Sequence, residues 1–134
     1  MLYGNLNFFY FYQSIVVFFL FLPSSFIIYN SSFPMFIHHV FFTLKNPDSV
    51  ADREALVAGL NSMRSIPEFR TIHIGVPAST NRDVINRAYS ISWLLMFDNL
   101  EDQEVYQVHP LHKKFVETCS HLWEKVVVFD SENA

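Results

Sequence analysis

The chain has 134 residues, enough for one domain with a modest core and too few for a second enzyme domain. Nine basic side chains against thirteen acidic ones, with no basic cluster, leave no electrostatic footprint for nucleic acid. The only cysteine is Cys119, which excludes an intramolecular disulfide and a cysteine-rich metal site.

Every charged side chain lies at or after Lys45, and this asymmetry divides the chain. Residues 1–34 are rich in Phe, Tyr, Ile, Leu, Asn and Ser and lack the positive start that a secretory signal needs. Leu6 to Leu22 approaches the ~17 to 20 residues that cross hydrocarbon, but Asn7, Gln13 and Ser14 interrupt it and no basic flank orients it. We read residues 1–34 as an apolar extension outside the fold, AT-rich upstream sequence read as codons, with translation starting at Met35. The expected domain is then 35–134 and the expected location cytoplasmic. If residues 1–34 are made, a membrane-anchored protein is the alternative.

Phe36 to Leu44 is aromatic and branched and ends at the turn cluster KNPD, so it predicts a first strand. Ser49 with Asp52 three residues on resembles a capping box, and Val50, Val57, Leu60 and Met63 make a helical stripe to about Ser65. Pro67 ends it. Phe69 to Val76 alternates as a half-buried strand, PASTNRD follows as a polar loop, and Tyr89 to Phe97 predicts a third strand whose faces both become apolar toward its end. Asp98 or Asn99 caps a short helix to about Gln107. Pro110 opens a second helical stretch in which Leu111, Phe115, Cys119 and Leu122 share a face, and Lys125 to Asp130 closes the chain as a strand apolar on both sides.

The order β-α-β-β-α-β is α+β and ferredoxin-like, an antiparallel sheet with its helices on one face. The VVVF run and the Leu94/Met96 side of the third strand call for cover on the other face as well. A chain of this size has nothing left to supply it, so the patterning predicts a homodimer packed sheet to sheet.

HHVFFTLK, the tract DNLEDQEVYQVHPLH and the terminal WEKVVVFD resemble the Dabb family, the stress-responsive dimeric α/β barrel domain, over residues 36 to 131. The most specific part is YxxHPxH, here Tyr106, His109, Pro110 and His112. The resemblance implies a homodimeric barrel with an apolar cavity in each protomer for a small ligand. It extends to the olivetolic-acid-cyclase-type polyketide cyclases, which perform aldol condensation of a linear poly-β-keto substrate. In that branch a tyrosine and a histidine carry the chemistry, and they match Tyr106 and His112.

The residue types suit that chemistry. A neutral imidazole of pKa near ~6.5 removes a proton alpha to a carbonyl, and a phenol near ~10 donates to the developing enolate oxygen. Each also has a structural reading: Tyr106 as a core residue with its hydroxyl tied to backbone, and His112 hydrogen-bonded across the sheet. His109 stands at an N-cap where Ser, Thr, Asn or Asp is usual, so a compensating tertiary hydrogen bond is expected there. His38 matches the family's first-strand histidine and would point into the cavity, with His39 facing the other way. Trp93 and Trp123 read as core or dimer contacts, Trp93 also as a cavity wall. A three-histidine metal site from His38, His109 and His112 is set aside because Pro110 spoils the helical i,i+3 pair. Gly75 is too isolated for a phosphate loop, and no cofactor is expected. The competing reading of function is a non-catalytic, stress-associated protein whose working product is the dimer. Its cavity would be filled by Phe and Leu side chains.

Overall fold

The computed structural model describes residues 35–134, so the expectations about residues 1–34, as extension, upstream sequence or membrane segment, lie outside it. Among the described residues no helix is long and apolar enough to cross a membrane.

Strand β1 (Phe36–Leu44) alternates buried and half-buried residues along its whole length. Its even-numbered side chains face the core and Ile37, His39, Phe41 and Thr43 face away, the period of two that a pleated strand imposes. Helix α1 (Val50–Asn61) starts where Ser49 Oγ accepts from the Asp52 N–H at 3.1 Å. The capping box is half made, because the Asp52 carboxylate accepts from the Asn46 side chain instead. The helix stops at Asn61, short of the expected Ser65. The chain then tightens into turns, with Met63, Arg64 and Ile66 donating to carbonyls three residues back, and these turns drive Met63 and Ile66 into the core.

Strand β2 (Thr71–Gly75) is shorter than the alternation implied, since Phe69 leaves the strand path and packs on Trp93, Phe97 and Tyr106. Strand β3 (Ile91–Phe97) begins two residues after the expected Tyr89. Helix α2 (Leu100–Val108) is capped by Asn99, whose side chain accepts from Asp102 N–H at 2.9 Å. Helix α3 (Pro110–Cys119) follows after one residue. A 3-10 turn, Ser120–Leu122, then leads into strand β4 (Trp123–Glu132), which outruns the predicted Lys125–Asp130 at both ends.

The four strands lie in the order β2-β3-β1-β4, every neighbouring pair antiparallel. One sheet face and the helices share a core of Phe36, Val40, Phe42, Ile91, Trp93, Leu95 and Phe97 against Leu56, Leu60, Tyr106 and Phe115. This is the ferredoxin-like α+β arrangement that the element order predicts. Helices α1 and α3 approach closely at Gly59, where an added Cβ would lie 2.5 Å from Cys119 Sγ. The opposite sheet face carries Ile37, His39, Phe41, Leu94, Met96, Val127 and Phe129, and no described helix lies over it. Phe129 is 64% exposed there.

Candidate functional site

The junction between α2 and α3 is built by two residues. Pro110 takes the first helical position of α3, where its missing N–H is no loss, and it forces His109 into extended backbone at φ −62° and ψ 138°. The His109 N–H donates to the Tyr106 carbonyl, and its ring Nδ1 accepts from the Leu111 N–H at 3.2 Å. His109 therefore caps α3 with its own imidazole, where the sequence led us to expect a tertiary bond. That acceptor role places its ring proton on Nε2.

The consequence of this turn is the meeting of Tyr106, near the end of α2, with His112, in the first turn of α3. Their ring centroids are 4.4 Å apart. His38, projecting from β1, meets the Tyr106 ring edge-on at 5.9 Å, so the phenol sits between two imidazoles. These three and Trp93 line a pocket of about 170 Å³ between sheet and helices. Its apolar wall is the cluster of Phe42, Phe115 and Trp123. Val126 and Val128 stand on the pocket side of the edge strand β4, 39% and 44% exposed. Of the five residues singled out in the sequence, only His109 does not line the pocket; it positions two that do.

The hydrogen bonds fix which ring nitrogen carries the proton. His38 Nδ1 lies 2.6 Å from Asp130 Oδ1 and His112 Nδ1 lies 3.1 Å from the Gln107 carbonyl. A carboxylate and a carbonyl only accept, so both histidines donate through Nδ1–H and keep the Nε2 lone pair free in the neutral state. Burial holds His112 below the usual histidine range, the Gln107 carbonyl opposes this, and charge on His38 and His109 adds to the lowering. Burial pushes the Tyr106 phenol up to about 12, with the Trp93 indole N–H acting against it. At neutral pH the site is an unprotonated imidazole beside a phenol that keeps its proton. Tyr106 is a core residue, as one reading of the sequence had it, and His112 bonds to the Gln107 carbonyl of the preceding helix and not across the sheet.

Asp130 was missed. It anchors His38 across the β1–β4 ladder, in which the two residues are directly opposite. The only sequence signal was its place at the end of WEKVVVFD, 92 residues away. Phe42, Phe115 and the two valines of β4 were read as core or strand residues and not as pocket walls. Among the described residues no three His, Cys, Asp or Glu side chains gather as a metal site would need.

A pH dependence follows. His39, on the other sheet face, is also held low, by burial first and then by His73 and His38. With folded values lowered from 6.5 at both His39 and His112, the unfolded chain binds more protons as pH falls below that value. Their contribution is thus fully present above 6.5 and lost on acidification through the lowered folded values. Urea denaturation is expected to show a lower midpoint at about pH 5 than at about pH 7.5, with a smaller drop in His112→Gln. Equal drops in the two proteins would remove His112 as a source.

A second pocket, about 210 Å³, opens on the other sheet face among Phe41, Asn86, Ala88, Tyr89, Val127 and Phe129. Lys125 lines it too and it holds no histidine; His38, Tyr106 and His112 line the first.

Comparison with known proteins bears on the fold and the family. The chain resembles the Dabb family protein of Mesorhizobium loti at 21% identity, with 75% of this chain and 98% of that one covered and a TM-score of 0.63. A dimeric ferredoxin-like protein of unknown function from Thermobifida fusca shares 16% identity over 76% of this chain and 93% of its own, with a TM-score of 0.63. Hydroxynitrile lyase from Passiflora edulis shares 19% identity over 75% and 94%, with a TM-score of 0.62. No curated protein matches the sequence. The profile of the Stress responsive A/B Barrel Domain matches residues 36–133, the span in which both the first-strand His38 and the closing Asp130 lie, and the chain belongs to this Dabb family.

Proposed function

We propose that the protein binds a small, largely apolar carbonyl compound and removes a proton alpha to the carbonyl, with His112 as base and Tyr106 as hydrogen-bond donor. The observation that carries this reading is the shared pocket, in which a phenol that holds its proton touches an imidazole with a free lone pair. In the step, the α-proton goes to His112 Nε2 and its electron pair moves to the carbonyl oxygen, which Tyr106 O–H stabilises as an enolate. His38, oriented by Asp130, supports the ligand from the other side of the phenol. A cavity of about 150 Å³ holds benzene, so a pocket of this size suits a ligand of one ring or its equivalent. That the interior is open and not filled by Phe and Leu favours binding over a purely structural role. A hydroxynitrile lyase of the same fold is further support for catalysis on this scaffold.

Acetophenone is a fitting probe, being one ring and one carbonyl. Titration followed by NMR tests binding, and deuterium entry into its methyl group in D₂O tests the chemistry. Exchange no faster than in buffer would sink the catalytic reading; unchanged protein spectra would sink the pocket itself.

The working form is proposed to be a homodimer in which the faces bearing Phe41, Leu94, Met96, Val127 and Phe129 pack together. Contiguous apolar sheet faces of this kind are usual interfaces, and a neighbour from Thermobifida fusca is dimeric. Sedimentation equilibrium should give twice the chain mass, and Phe129→Glu, at an exposed position in the protomer, should give one chain mass. A monomeric unmutated protein would overturn this assembly.

A further inference from the structure

Trp93 stands out because its indole N–H is buried and has no hydrogen-bond partner that satisfies normal geometry, in a residue only 1% exposed. Such orphaned donors are rare in folded proteins and call for an explanation. Trp93 shares the pocket wall with Tyr106, and Phe69 packs against both rings, at 6.1 Å and 5.3 Å between centroids. The Tyr106 hydroxyl belongs to the same pocket, and the indole counters the effect of burial on the phenol.

We infer that Trp93 is a positioning residue that works through Tyr106: its N–H is turned to the phenol oxygen, so that the phenol proton is directed into the pocket, toward a ligand oxygen. The inference rests on the function proposed above and adds a specificity to it, for ligands that present an acceptor oxygen at the phenol. When Tyr106 donates to such an oxygen, electron density rises on its own oxygen. The indole N–H then meets a stronger acceptor in the phenol oxygen, and the two bonds reinforce one another. A ligand of the same shape without the oxygen leaves the indole unsatisfied. In β3 the same position could hold Phe or Leu if packing were its whole task, and neither would leave a buried donor without a partner.

Acetophenone and ethylbenzene have nearly the same size and differ in the carbonyl, so the ratio of their affinities reads this chain of donors. The unmutated protein is expected to prefer acetophenone. Trp93→Phe should reduce that preference roughly tenfold, a ratio in which any change of pocket shape common to both probes cancels. In Tyr106→Phe, adding Trp93→Phe should change the ratio no further, because the partner through which the indole acts is gone. Equal loss for both probes, or an unchanged ratio in Trp93→Phe, would overturn the inference and assign Trp93 to packing. If the unmutated protein binds both probes equally, the pocket stands and the Trp93 role falls. If it binds neither, both fall. A further measurement uses the indole N–H signal of the unmutated protein, assigned by loss of the other tryptophan's signal in Trp123→Phe. It should move downfield with acetophenone and not with ethylbenzene; equal shifts would contradict the inference.

Discussion

His112→Gln should slow deuterium entry into acetophenone by roughly 10²–10⁴-fold, the range for loss of a positioned general base, while acetophenone affinity changes little. Glutamine is the informative substitution because its amide N–H₂ can still donate to the Gln107 carbonyl, as the His112 Nδ1–H does at 3.1 Å. The start of α3 then keeps its tie to the end of α2, and Tyr106 keeps its place. What is lost is the Nε2 lone pair alone. The rate in the unmutated protein should fall as pH drops through the lowered His112 value and level off at neutral pH, where the imidazole is free to accept. An exchange rate in His112→Gln within a few-fold of the unmutated protein would exclude His112 as the base. The His38–Asp130 pair would then be the next candidate, since His38 Nε2 is also unprotonated in the neutral ring.

Gly59→Ala should destabilise the protein by about 1–3 kcal/mol, as overpacking does, although the same change in an ordinary helix interior stabilises by about 0.5–1 kcal/mol. The reversal comes from α3: the new methyl would meet Cys119 Sγ at 2.5 Å and the Phe115 ring edge at 3.1 Å. Phe115 lines the pocket of Tyr106 and His112, so relief by moving α3 would also disturb that pocket. Cys119→Ala removes the nearer obstacle. The double variant should therefore recover part of the loss, and a double-mutant cycle by urea denaturation measures the coupling. A single Gly59→Ala variant more stable than the parent would mean that the two helices are not in close contact.

The sequence carried the fold where the physics is local. The alternation of Phe36 to Leu44, the Ser49 and Asn99 caps and the Pro110 start each need only a few neighbouring residues, and the structure has all of them. Boundaries failed where a distant partner decides them. Phe69 reads as a strand residue, but three aromatic rings from other elements draw it into the core. For the site, Tyr106 and His112 were legible because the motif that brings them together spans seven residues. Asp130 was not, since its role depends on the register of β4 against β1, and a slip of one residue would turn its side chain to the other face. The orphaned Trp93 N–H had no sequence signal at all, because an unmet hydrogen bond is a property of surroundings and not of residue type.

The β1–β4 pairing has a further meaning for how the protein comes into being. Among the described strands, the one made last lies against the one made first, and it carries both the anchor of His38 and the outer pocket wall. A nascent chain with β1 to α3 already out can gather its helices on three strands, yet it lacks the β4 side of the Tyr106–His112 pocket. Closure of the pocket therefore waits for β4, and a chain cut short before Val126 would lack Val126 and Val128 from its wall and Asp130 beside His38.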